Sequence, residues 1–111
     1  MNKVLLIGKL VKDWLVKETK NGDKVLLLNL ATRKRFKNKK TGKEQEKVDY
    51  HNLIAYGDKA KMLSKDIDKF KKDTIISVEG EIDNFSYEVE GIKRYWSRIV
   101  IHSLQFVDKE V

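Results

Sequence analysis

Extended runs of β-branched, leucine and aromatic residues alternate with turn signals at short spacing along this chain. That alternation constrains the fold more than any other feature, because it demands several strands and little helix. Residues 3–10 form a nearly continuous apolar run and the first strand. Asn21-Gly22-Asp23 is a turn, since Asn and Gly tolerate positive φ, and it separates an extended stretch at 14–19 from a second strand at 24–32. In that second strand Leu26, Leu28 and Leu30 share one face by the two-residue period. A basic segment follows, read as a loop with Thr41-Gly42 at its tip, and then a third strand at 48–56. Val48, Tyr50, Asn52, Ile54 and Tyr56 point one way on it; Asp49, His51, Leu53 and Ala55 point the other.

Residues 58–70 are the one helix, with Ala60, Leu63, Ile67 and Phe70 at helical spacing and Gly57-Asp58 as the expected N-cap. A fourth strand covers 74–87, where Gly80 is expected to permit a sharp bend of the kind found at barrel corners. After the Glu90-Gly91 turn a fifth strand runs over 93–107. Three strands, a helix and two strands make a mostly β chain. The expected fold is a five-stranded Greek-key barrel with the helix between strands three and four, the OB-fold arrangement.

The 111 residues suit one domain over 1–111, and 41% hydrophobic composition argues against wholesale disorder. With no cysteine there is no disulfide framework, thiolate metal site or cysteine nucleophile. The opening apolar run is interrupted by Lys9 and Lys12 and does not read as a signal peptide, and no stretch approaches a membrane span; a soluble cytoplasmic chain is expected. The two histidines are far apart in sequence, so no metal site is expected, and no cofactor or small-molecule substrate either.

Net charge is +7, and residues 33–47 alone carry 8 Lys or Arg against 2 Glu. Nearly all the excess charge therefore sits in one segment. The plain reading is a solvated loop; the functional one is a cationic surface for a polyanion. Phe36 tilts the balance, because an aromatic among Arg33, Lys34, Arg35 and Lys37 cannot be buried without them. Binding single strands without sequence preference requires cations that track phosphates and aromatic faces on which unpaired bases stack. The cations available are Arg33, Lys34, Arg35, Lys37, Lys39, Lys40, Lys43 and Lys47, with Lys9 nearby. Lysine predominates, which suits diffuse neutralisation better than bidentate base reading.

Four pieces of the chain, in order and at matching separations, resemble the bacterial single-stranded DNA-binding protein family. They are Asn2-Lys3-Val4-Leu5-Leu6-Ile7-Gly8-Lys9-Leu10, Leu30-Ala31-Thr32 followed by basic residues and Phe36, Asp49-Tyr50-His51-Asn52-Leu53-Ile54-Ala55-Tyr56-Gly57, and Val78-Glu79-Gly80. The resemblance implies an OB-fold that binds and protects single-stranded DNA in replication, recombination or repair. Phe36, Tyr50, Tyr56 and Tyr87 match family stacking positions, Tyr87 after a one-residue shift. His51 matches a subunit-interface position, and a one-barrel chain implies a homotetramer.

Phe85 and Trp96 are weaker binding candidates, with packing or subunit contact as the rival, and Trp14 is expected to cover a barrel end or an interface. The chain departs from the family pattern at Trp14, where Pro is common, and at Glu81 and Asp83, which follow Gly80 where a basic residue is common. The family's glycine-rich tail with its acidic tip has no counterpart before Asp108-Lys109-Glu110-Val111: either the chain is naturally tailless, as in some mobile-element or viral relatives, and recruitment of other proteins through such a tip is lost, or the sequence is a truncated piece.

Three rival readings stand beside this one. OB-fold nucleases use carboxylate clusters and a divalent ion, but Asp13, Glu18 and Asp49 have no motif spacing, and there is no P-loop or nucleophile elbow. An enzyme is therefore not expected. The others are a replication-restart adaptor acting mainly through protein contacts and an RNA-binding OB domain.

Overall fold

The first strand, β1 (Val4–Leu10), explains its own unbroken apolar run: Val4, Leu6 and Leu10 face the core, while Leu5 and Ile7 stand on the outer face, 68% and 66% exposed. The structure, a computed structural model, describes residues 1–11 and 15–107, Ile67 by its backbone alone. The remaining elements are β2 (Leu15–Glu18), β3 (Lys24–Lys37), β4 (Glu44–Tyr56), α1 (Gly57–Ser64), a 3₁₀ turn (Ile67–Lys69), β5 (Ile75–Val89) and β6 (Ile92–Phe106).

Five strands close into a barrel. β1 pairs antiparallel with β5 along its length and with β3 at Lys9↔Ala31 and Leu10↔Leu30. β3 pairs with β4, β5 pairs with β6, and the ring is completed by a short parallel contact of β4 with β6 at Leu53↔Ile99 and Ile54↔Val100. β2 adds an edge to β3, opposite Lys24 to Leu27. Around the ring the order is β1-β3-β4-β6-β5, the expected OB topology.

Closure depends on two glycines where strands cross closely. A Cβ on Gly8 would strike the carbonyl oxygen of Ala31, and one on Gly80 the carbonyl oxygen of Val100. The β5–β6 register shifts between Glu79 and Gly80, so the corner expected from Gly80 is present as a bulge. Inside lie Leu26, Leu28 and Leu30 of β3, as their period required, with Leu53, Ile76, Val78, Ile99 and Ile101. Ala60 and the fully buried Phe70 also belong to this core, and Phe70 packs against Phe106 with ring centroids 5.0 Å apart.

The helix differs from expectation. It begins at Gly57, with Tyr56 at the N-cap position making no side-chain capping bond, and with Asp58 in the first turn where its charge favours the helix dipole. It ends at Ser64 rather than Phe70. Lys65 and Asp66 donate to the carbonyls of Met62 and Leu63, three residues back, and the chain tightens into the 3₁₀ turn. A straight helix would carry Phe70 about 15 Å along the axis from Ala60. Turning after Ser64 lets both residues be buried in one small core.

The larger departure concerns the basic segment, which is not a loop. β3 and β4 stay paired from Val25↔Tyr56 out to Lys37↔Glu44, so most of residues 33–47 form the outer half of a long hairpin. Residues 38–43 are the connection. There Asn38 receives hydrogen bonds from the Lys40 amide (2.8 Å) and, at its carbonyl, from the Gly42 amide (2.7 Å). β5 and β6 form a second long hairpin, paired to Val89↔Ile92. Both arms reach beyond the barrel, which accounts for a radius of gyration of 16.4 Å, where a compact chain of this length gives about 13 Å.

Candidate nucleic-acid interface

β4 and β6 run parallel where they touch, so the two arms leave the barrel toward the same side. A cleft of about 400 Å³ between them is lined by Tyr50, Asn52, Tyr95, Trp96 and Arg98. Tyr50 is 65% exposed, opposite Ala31. It also borders a groove of about 420 Å³ toward β1 with Ile7, Lys9, Arg33 and Val48. Tyr56 lies further along the same outward face of β4, at the barrel wall, with the Arg98 guanidinium 5.4 Å from its ring centre. Tyr87 sits on the β5 arm opposite Arg94 and shares its face with Phe85 and Trp96.

Phe36 belongs to the other side of the first arm. Register pairs Phe36 with Gln45, Lys34 with Lys47 and Thr32 with Asp49, one face of the hairpin; Arg33, Arg35, Val48 and Tyr50 occupy the other. The four stacking candidates are thus not one coplanar set. Tyr50 and Tyr56 share a face, Tyr87 is on the second arm, and Phe36 is exposed (41%) on the reverse of the first. A strand touching all four must pass around an arm.

Cations cover both faces of that arm. Arg33 lies 3.7 Å from Glu46 and Lys47 3.5 Å from Asp49, both as exposed pairs worth little in water. Lys34, Arg35, Lys37, Lys39, Lys40 and Lys43 form no ion pair among the described residues. Lys34 and Lys47 stand directly across from one another, like charges whose repulsion Asp49 beside Lys47 offsets in part and a bound phosphate would offset further. His51 is half-buried, its Nε2 2.8 Å from the Thr32 hydroxyl.

The acids that depart from the family pattern have basic partners: Asp83 meets Arg98 Nε at 3.2 Å, and Glu81 meets His102 Nε2 at 3.0 Å. Arg98 was not singled out in the sequence, because its position opposite Asp83 exists only through the β5–β6 register. Asp13 and Trp14 lie outside the described residues. Among the described residues no group of three His, Cys, Asp or Glu side chains is placed to hold a metal, and no helix is long and apolar enough to cross a membrane.

Comparison with known proteins agrees with this geometry. Single-stranded DNA-binding protein 1 of Xylella fastidiosa (strain 9a5c) is 30% identical over 111 residues, covering 99% of this chain and 79% of that protein. A Plasmodium falciparum SSB in complex with ssDNA superposes with a TM-score of 0.83 at 26% identity, over 97% of this chain and 96% of that one. The wild-type single-stranded DNA-binding protein from Thermus aquaticus gives 0.82 at 28% identity, over 99% of this chain but 52% of its own. Residues 1–107 match the model of the Single-strand binding protein family. The closed barrel and the near full-length match agree, and the chain belongs to the single-strand binding protein family.

Proposed function

We propose that this chain coats single-stranded DNA without sequence preference, stacking bases on Phe36, Tyr50, Tyr56 and Tyr87 and holding phosphates with the β3–β4 arm and Lys9. Family membership supports the ligand class. The observation that carries the mechanism is the arm itself: six cations without ion-pair partners among the described residues flank exposed rings on both faces. Stacking contributes roughly 1–3 kcal/mol per base and tolerates any base, while lysines neutralise phosphates wherever the strand runs.

Residues 1–111 act as one cytoplasmic, non-catalytic domain serving replication, recombination or repair. The chain assembles as a homotetramer with His51 at a subunit contact; the bare apolar outer face of β1 (Leu5 and Ile7) supports association with another copy. The test is fluorescence anisotropy of labelled oligo-dT, a duplex of equal length and an oligo-U. Tight binding of oligo-dT at a salt concentration that releases the duplex supports the proposal. Equal binding of single strand and duplex overturns it, and preference for oligo-U transfers the function to RNA.

A further inference from the structure

Phe85, Trp96 and Arg98 lie on one face of the β5–β6 arm, and neither the charge run nor the four stacking candidates accounts for them. Phe85 and Trp96 are cross-strand partners, their rings within 24° of parallel and their centroids 6.5 Å apart. Trp96 remains 48% exposed. The Arg98 guanidinium lies 4.6 Å from the Phe85 ring centre and 5.4 Å from that of Tyr56, so it links the β5–β6 arm to the barrel wall at β4. Asp83 takes only Nε. The terminal nitrogens of Arg98 have no hydrogen-bond partner among the described residues. Beside these groups a cleft of about 230 Å³ opens, floored by Leu27 and Ile54 and edged by Asn52.

Arg98 is thus held by one ion pair, at Nε, and by two neighbouring rings. The two rings crowd the guanidinium, and because Asp83 accepts from Nε alone, the terminal nitrogens keep their donors for a phosphate or a base edge. The site is continuous with Tyr56, a stacking residue of the proposed function. Its charge complements a phosphodiester, and its exposed indole offers a face to a base. Asp83 opposes the same ligand, because a phosphate approaching Arg98 also approaches a carboxylate.

We propose that Phe85, Trp96 and Arg98 form a further nucleotide seat on the β5–β6 arm, with a base stacking on Trp96 and its phosphate on Arg98, and that Asp83 restrains the affinity of this seat; the seat presupposes that the chain binds single strands. Its occupant is a nucleotide of the strand already bound at Tyr56. Asp83 then keeps the strand exchangeable where a family-typical basic residue would hold it more firmly.

The test compares Asp83→Asn and Arg98→Gln with the parent chain by anisotropy titration of labelled oligo-dT over a range of salt, with Phe36→Ala as a control and sedimentation velocity on each variant. Arg98→Gln is expected to weaken binding by about tenfold, the loss of one charge-assisted contact. It should also make the log–log salt slope shallower by about 0.7, one phosphate on a single strand. Asp83→Asn should tighten binding by about threefold or more and steepen the slope, a gain that misfolding cannot mimic. Parent-like affinity in both variants, with Phe36→Ala still impaired, overturns the seat and leaves single-strand binding intact. Altered sedimentation with unchanged affinity per chain also overturns it, assigning the surface to a second copy. A parent that does not bind oligo-dT overturns the wider reading and the seat together.

Discussion

Replacing Lys39, Lys40 and Lys43 by glutamine removes three of the six arm cations that have no ion-pair partner among the described residues. The fold should not notice. All three are exposed, and the hairpin connection is held by backbone amides, Lys40 N–H to Asn38 and Lys43 N–H to the Thr41 hydroxyl, which the substitutions retain. Stability should change by no more than about 0.5 kcal/mol. Binding should change a great deal. Each phosphate neutralised on a single strand contributes about −0.7 to the slope of log affinity against log salt, so six contacts give about −4 and three about −2. A fourfold rise in salt then weakens the parent roughly 300-fold and the triple variant roughly 20-fold. Anisotropy titrations with oligo-dT at 4 salt concentrations (about 50 to 200 mM) read both slopes. A variant slope equal to the parent's would refute the placement of the arm on phosphates, whatever happened to affinity at one salt.

Three further outcomes follow from the same geometry. Phe36→Ala should weaken oligo-dT binding by about 1–3 kcal/mol with little change in Tm, because the ring stands exposed on the arm, away from the core. An unchanged affinity would remove Phe36 from the interface. Gly80→Ala should destabilise the barrel by about 1–3 kcal/mol, since its Cβ meets the Val100 carbonyl and one strand must shift. A parent-like thermal melt would show that the corner has room to relax. Lys34→Gln should raise stability by about 0.2–1 kcal/mol by relieving its repulsion with Lys47, while weakening DNA binding; a fall in both Tm and affinity would deny the stored repulsion.

The barrel was legible because its signals are local. Leu26, Leu28 and Leu30 alternate on one face, Gly80 marks a corner, and Ala60 and Phe70 are both buried. The basic segment reads as a loop in sequence because charge suppresses the apolar alternation by which a strand is recognised. An arm that projects into solvent has no core to impose that alternation, and only its register with β4 reveals the strand. The helix was read too long because residues 60, 63, 67 and 70 keep helical spacing through a turn that spacing alone cannot detect. Candidate site residues carried by a charged or aromatic run, such as Phe36 and the lysines, are visible in the sequence. Arg98 is not, since its significance comes from Asp83, Phe85 and Tyr56, brought to it by pairing across the β5–β6 arm and by the meeting of β4 with β6.

In the proposed binding mode bases stack directly on this protein's aromatic side chains, with phosphate neutralisation as a partner and not a substitute. Titration of intrinsic tryptophan and tyrosine fluorescence with a long oligo-dT, against a matched duplex and at two salt concentrations, tests it most directly. Base stacking should give strong quenching by oligo-dT that high salt reverses, and weak quenching by the duplex. Tight binding of oligo-dT at low salt with unchanged fluorescence would contradict it, leaving an interface that holds the phosphate backbone and ignores the bases.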